Sequence, residues 1–457
     1  MNFRRRLFWI AFAAFVIGLM PPSLLPYQVT GEENILSQGR GMVQWFYTAV
    51  RPAPRLAPFS VEPTGIDTAF GVNTFLQTEA LPEVRDESLQ KVHAAGFRLI
   101  RQQFVWEDIE ISAKGDFVDR RNLDVYPDGI DAWVKYDNIV DLADANDIEI
   151  LARLDNPPAW SRTLTNTIGT LAPPDDLTDY GDFVEAVVSR YKGRIRYYQL
   201  WNEPNIYPEW GEQGVNPEAF SLLMCEGYQR AKAADPDAII LSGTMAPTVA
   251  LNYRDLNDLI YLERIYASGG GDCFDVLSVQ GYGLFSGATD QRLRPTVINY
   301  PHNLLLRDVM VANGDGHKPI WISEMGWNVV PDGLPQNFGQ VSEEEQARYA
   351  VEAYERIQTE WPWVELGAYW FFKEAGEDRS QAKYYFRLME PDFTPLPVYD
   401  ALVDGLPQLP SEPVIGQGQA FDLLFFVRQA SRRWFILIGG AILFWLFLDW
   451  GRHGRES

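Results

Sequence analysis

Two glutamates stand out by the residues around them. Glu203 lies in Trp201-Asn202-Glu203-Pro204, and Glu324 lies in Ile322-Ser323-Glu324-Met325-Gly326-Trp327. A lone Glu of this kind is most often a surface or ion-paired side chain. Two of them at one opening, ringed by Trp and Tyr, form the arrangement that cleavage of a glycosidic bond requires. One carboxylic acid protonates the leaving oxygen, and the other carboxylate attacks the anomeric carbon or activates water. Aromatic rings suit the apolar faces of sugars. The chain has 15 Trp, 21 Tyr and 26 Phe, of which large cores account for a part.

Such a pair must be carried by elements that converge on one point. Short apolar or β-branched runs recur at 70–75, 97–105, 148–154, 196–201, 238–242, 274–279, 319–323 and 366–372. Their starts are about 42 residues apart, a βα repeat length. Helical patterns fill the gaps, as at 136–147, 179–193 and 342–360, and Ser342 with Glu345 forms a capping box for the last. Eight alternating units predict an α/β fold, a (β/α)8 TIM barrel over 64–405, rather than an open doubly wound sheet. No GxGxxG follows the first strand, which argues against a dinucleotide site.

Chemistry in such a barrel gathers at the C-terminal ends of the strands. Strand two offers Arg101, Trp106 and Glu107 there. Strand three offers Asp155, Asn156 and Trp160, and strand four ends in Trp201-Asn202-Glu203. Strand six brings Gln280 and Tyr282, strand seven Glu324 and Trp327, and strand eight Trp370, Lys373 and Glu374. Trp106, Trp160 and Trp327 are either sugar platforms or core. Asp155 and Asn156 either bond sugar hydroxyls or cap a loop. Glu107 and Glu374 read as ion-paired scaffold.

The segments 201–204 and 322–327 resemble the strand-four and strand-seven motifs of clan A glycoside hydrolases. The stretches 96–110, 148–161 and 384–402 look like pieces of family 39 and family 5 enzymes, so the likeness covers essentially 64–405. The resemblance implies Glu203 as acid/base and Glu324 as nucleophile. It implies that Asn202 bonds the sugar 2-OH, that Tyr282 bonds the nucleophile, that Arg101 holds it ionised, and that Trp370 is the platform at the cleaved sugar. Many clan members carry His two residues before the strand-six Tyr. Here that residue is Gln280.

The ends differ from the middle. Arg4, Arg5 and Arg6 precede an apolar run at 7–20, a positive n-region with an apolar h-region. Prolines and not small residues follow, so 1–27 reads as an uncleaved signal anchor, with a cleaved signal as the alternative. The run 434–450 is bounded by Arg432/Arg433 and Arg452/Arg455 and has Trp at both edges. At 1.5 Å per residue it would span roughly 26 Å, near a bilayer core. The domains expected are thus an anchor at 1–27, a linker at 28–63, the barrel at 64–405, a linker and juxtamembrane segment at 406–431, and a transmembrane helix with tail at 432–457. The N-terminal Arg cluster puts both termini in the cytoplasm and the barrel outside, at the cell membrane.

Lys+Arg is 39 against Asp+Glu 62, a formal charge of −23. Such a chain repels phosphate backbones and excludes nucleic acid as a partner. The four His are scattered, so no metal or other cofactor is expected. Cys225 and Cys273 can pair once; two free thiols packed in the interior are the favoured reading. The expectation is a membrane-anchored retaining β-glycosidase, hydrolysing O-glycosidic bonds of an extracytoplasmic oligo- or polysaccharide by double displacement. The competing readings are a carbohydrate-binding barrel without turnover and a subunit of a polysaccharide export or synthesis machine.

Overall fold

The computed structural model describes residues 26–164 and 171–409. The apolar runs 7–20 and 434–450 lie outside them. Among the described residues no helix is long and apolar enough to cross a membrane.

The eight main strands are β1 (Phe70–Thr74), β2 (Leu99–Val105), β3 (Glu149–Asp155), β4 (Tyr197–Leu200), β5 (Ile239–Leu241), β6 (Leu277–Tyr282), β7 (Ile320–Gly326) and β8 (Val364–Tyr369). All pair in parallel in chain order, and β8 closes onto β1. Between β5 and β6 the closure consists of the bridges Leu241–Val276 and Met245–Val279. The sheet is therefore a near-closed barrel. A helix follows each strand: α1 (Pro82–Ala94), α2 (Val134–Ala145), α3 (Leu177–Arg190), α4 (Pro217–Ala234), α5 (Asp258–Ala267), α6 (Asn303–Ala312), α7 (Glu343–Glu360) and α8 (Pro397–Gly405).

Local chemistry explains where the helices start. Asp176, Asn216 and Asn257 accept backbone N–H bonds at the starts of α3, α4 and α5. Proline occupies the first turn of α1, α4 and α8, where its missing N–H costs nothing. The predicted capping box is present. Ser342 N–H donates to Glu345 Oε2 at 2.6 Å, and Glu345 N–H donates to Ser342 Oγ at 3.2 Å.

The barrel interior is layered. Leu99, Leu151, Tyr197, Leu241, Val276, Trp321 and Leu366 form an apolar cluster drawn from seven strand regions. Side chains two residues apart on a strand share a face. The next inward positions are Arg101 above Leu99 and Gln199 above Tyr197. On β1, Gly71 faces this cluster, because a Cβ there would meet Leu366, Leu99 and Ala368. Asn73 comes two residues later. An apolar floor thus carries a polar layer toward the C-terminal mouth.

Cys225 of α4 and Cys273, just before β6, form a disulfide with Cα atoms 4.8 Å apart. This corrects the expectation of two free thiols. A separation of 48 residues carries no geometric information, and only the packing of α4 against the turn Gly270–Cys273 brings them together. Intact protein, unfolded without reductant, should show no reactive thiol. Reduction should cost about 3–4 kcal/mol for a loop of this size, read as a lower urea midpoint.

Among the described residues, 54–164, 171–289 and 293–409 belong to one compact unit. The described part of a second comprises 26–53 and 290–292. Helices Pro26–Thr30 and Ile35–Ala49 occupy part of the stretch expected as a linker, while 51–63 carries no helix or strand. Asn34 caps the longer helix. Arg292 ties this unit together through Asp290, Glu32, the Thr30 carbonyl and Gln44. Ile35, Leu36, Val43 and Phe46 are exposed, so the helix buries no apolar stripe of the kind that marks a core-facing helix in a sequence.

Candidate active site

Glu203 and Glu324 occupy one mouth of the barrel. Gln280 Nε2 donates to Glu203 Oε1 at 2.6 Å and to Glu324 Oε2 at 3.0 Å, so these two carboxyl oxygens lie within 5.6 Å of each other. The register explains the contact. Glu324 pairs with Gln280 across β7 and β6, and an irregularity between Ile322 and Glu324 re-aims the carboxyl.

Glu324 is buried and surrounded by donors. Arg101 Nη1 donates to its Oε1 at 2.7 Å, and Tyr282 Oη donates to its Oε2 at 2.7 Å. Arg101 is itself fully engaged. Its Nε donates to Gln199 Oε1 at 2.7 Å, its Nη1 also to Asn73 Oδ1 at 2.9 Å, and its Nη2 to Asn202 Oδ1 at 2.8 Å. Burial, and then the charges of Glu324 and Glu203, push the Tyr282 phenol well above its ordinary range, so it remains a donor.

Glu203 is less enclosed. Burial raises its proton affinity most, followed by the negative charges of Glu324 and Glu209, against the Gln280 hydrogen bond and Arg101. The result is a carboxyl pushed up to about 8. The backbone here is strained. Trp201 has φ 78° and Glu203 φ 43°, in the region that side chains avoid. Such residues cost about 1–3 kcal/mol each and cluster at functional sites. The conformation is pinned by Glu203 N–H to the Thr244 carbonyl at 2.8 Å and by Trp201 Nε1 to the Glu209 carbonyl at 3.0 Å.

Arg101, Asn202 and Tyr282 therefore join the two glutamates. Trp370 is half-buried, with its ring edge against Phe75, and keeps part of its surface open. Trp160 is also half-buried; its Nε1 donates to the Glu110 carbonyl at 2.8 Å. Asn156 has φ 57° and a carbonyl that accepts from Glu107 N–H at 2.9 Å, so its backbone shapes the loop after β3. Asp155 accepts from Gln103 at 2.6 Å and pairs with Arg153 at 2.8 Å. Trp327 is a correction. It is fully buried, donates to the Ser286 carbonyl at 2.7 Å and packs against Tyr300 and Tyr349, so it offers no face to a sugar. Trp106 is likewise buried, stacked on Phe183. Lys373 pairs with Glu79. Among the described residues no cluster of His, Cys, Asp or Glu could hold a metal ion.

Sequence reasoning did not find Asn73, Gln199 and Glu209 as site residues, and it saw Gln280 only as a departure from a pattern. The first two had a signal, a polar residue at an inward position of an otherwise apolar barrel strand. Glu209 had none, because the loop after β4 brings it in.

The fold is a near-closed (β/α)8 barrel, and solved structures similar to this chain are glycoside hydrolases of families 39 and 5. A family 39 glycoside hydrolase from the gut symbiont Bacteroides cellulosilyticus WH2 matches with a TM-score of 0.53 and 20% identity, over 78% of this chain and 66% of that one. The family 39 enzyme from Xanthomonas axonopodis pv. citri matches with a TM-score of 0.53 and 18% identity, over 78% and 70%. A family 5 (subfamily 18) enzyme from Streptomyces cattleya, in complex with Manb1-4GlcNAc, matches with a TM-score of 0.55 and 16% identity, over 75% and 82%. This chain thus spans about two thirds of the first of these. No family model and no curated protein matches the sequence.

Proposed function

We propose that this protein is a retaining β-glycosidase that hydrolyses an oligo- or polysaccharide. The observation that carries the reading is the pair of carboxyl oxygens held within 5.6 Å by Gln280. Retaining enzymes have carboxyl groups about 5–5.5 Å apart, while inverting enzymes need about 6.5–9.5 Å to admit a water.

The environments of the two carboxyls support a division of roles. Glu203 holds its proton through the neutral range and donates it to the leaving oxygen. Glu324, with donors on both oxygens, attacks the anomeric carbon and forms a glycosyl ester. That step removes the charge of Glu324, one of the causes of the raised proton affinity of Glu203. Glu203, now ionised, takes a proton from the incoming water, and the second displacement restores the starting configuration. Activity requires protonated Glu203 in the first step. The kcat/KM profile should therefore hold through neutral pH and fall as pH rises through about 8.

The protein is further proposed to sit at the cell membrane, held by its terminal apolar segments, with the barrel outside the cytoplasm. The Arg cluster before the run 7–20 and the Arg-flanked run 434–450 support this. So does the disulfide, since such bonds persist in oxidising compartments. Protease added to spheroplasts should digest the barrel. Protection of the barrel would reverse the orientation.

The reading is tested by a panel of chromogenic β-glycosides and soluble polysaccharides, with β-xylosides and β-mannosides first. The similar structures include a β-xylosidase from Caulobacter crescentus CB15 and the complex with Manb1-4GlcNAc. Proton NMR of the first-formed sugar should show the β-anomer. No cleavage of any member, or a first-formed α-anomer, would contradict the proposal.

A further inference from the structure

The helix Ile35–Ala49 has two unlike faces. One docks within its own unit. Gly41 is buried there, and a Cβ in its place would meet the Thr30 side chain at 2.7 Å. Gln44, three residues on, accepts from Arg292 Nη1 through its Oε1 at 2.9 Å.

The other face looks outward. Ile35, Leu36, Val43, Phe46, Tyr47 and Val50 keep between 63% and 82% of their surface exposed. At 3.6 residues per turn these positions fall within an arc of roughly 120°. Gly39 lies inside that arc, and a Cβ there would meet no atom within 4 Å. Among the described residues, six of the twenty exposed large apolar side chains thus crowd into 35–50. Apolar residues scattered singly over a surface need no explanation, but a contiguous stripe marks an interaction site.

Charge and tether length identify what the stripe meets. The stretch 34–61 holds Arg40, Arg51 and Arg55 and no Asp or Glu, in a chain of formal charge −23. Arg55 is committed to Asp308 at 2.7 Å. Arg40 and Arg51 border the stripe, and the Arg51 guanidinium carbon lies 4.8 Å from the centre of the Tyr47 ring. An apolar face with aromatic rings and bordering Arg is the pattern of a helix lying in a bilayer interface. Long Arg side chains reach the headgroups while the apolar face sinks below them. A symmetric pair of copies would instead bring Arg40 and Arg51 against a face that holds no carboxylate. The tether is short. Only residues 21–25 separate the apolar run 7–20 from Pro26, a reach of at most roughly 20 Å. The helix Pro26–Thr30 belongs to the same unit as the stripe. A run 7–20 seated in a membrane therefore keeps this unit at the membrane surface.

We propose that the exposed face of 35–50 docks on an anionic lipid bilayer, with Val43 and Phe46 at the acyl boundary and Arg40 and Arg51 among the headgroups. The inference rests on the proposed membrane location and not on the cleavage of any sugar.

The full chain tests it. Its two cysteines are joined to each other, so an introduced cysteine is the only reactive thiol. An environment-sensitive fluorophore is attached in Val43→Cys, in Phe46→Cys, and in Leu222→Cys as reference, an exposed apolar residue of α4. Each chain is reconstituted into vesicles of two parts phosphatidylcholine to one part phosphatidylglycerol, with nitroxide lipids that quench near the headgroups. Flotation reports whether the chain is on the vesicles. Quenching at 43 and 46 should be at least about threefold that at 222, and pure phosphatidylcholine should give about half of it or less. Quenching no greater than at 222 in a chain that floats overturns the inference and leaves the membrane location standing. Equal quenching in the two lipids overturns the part assigned to Arg40 and Arg51. An unquenched fluorophore shielded from water overturns the inference too. Energy transfer between chains that fades on dilution in lipid would then identify a second copy as the occupant, and its absence a segment of the same chain. A chain that does not float removes the inference and the membrane location together.

Discussion

Glu324→Ala should reduce turnover of natural glycosides by about 10⁴-fold or more, because it deletes the attacking oxygen and no neighbour can replace it. Azide should partly restore activity and should give an α-glycosyl azide, by one displacement in place of two. Glu203→Ala should behave differently. A dinitrophenyl glycoside needs no proton on its leaving group, so the ester with Glu324 should form and then persist, since water lacks its base. Azide needs no base and should release a β-glycosyl azide. Product configuration by NMR checks both variants. Opposite configurations would exchange the two roles, and full activity in both would move the chemistry elsewhere.

Arg101→Met should destabilise the fold by about 3–5 kcal/mol, the usual cost of leaving one partner of a buried ion pair alone. The guanidinium donates to Glu324, Asn73, Gln199 and Asn202, and the ion pair with Glu324 is almost entirely shielded from water. Urea unfolding of the variant beside the unchanged protein measures the deficit, and a loss below about 1 kcal/mol would mean that this guanidinium does not hold the barrel mouth together.

These three variants touch the parts of the site that the sequence made legible. The strands were readable because they are short apolar runs between amphipathic helices. The run at 238–242 is the strand Ile239–Leu241, and the run at 319–323 extends to Gly326. Glu203 and Glu324 were readable because each follows such a run within two residues. Trp327 shows the limit. It stands three residues after Glu324, yet its ring turns under the mouth against Tyr300 and Tyr349. Position along a strand does not say which way a loop residue turns. Gln280 was visible as a residue, but its bond to both carboxyls depends on the register of β6 and β7. Glu209 depends on the course of a loop, and Cys225–Cys273 on the docking of one helix. Contacts made by strand neighbours could be foreseen in kind. Contacts made by loops could not.

The central claim is that Glu324 forms a covalent bond to the sugar with Glu203 as its acid and base. A 2-deoxy-2-fluoro β-glycoside with a dinitrophenyl leaving group slows both steps but slows ester hydrolysis more, so the ester accumulates. Mass spectrometry of the inactivated, digested protein should find the fluorosugar on the peptide that contains Glu324, at that residue. A label on Glu203, or rapid turnover of cleavable substrates with no label anywhere, would contradict the account.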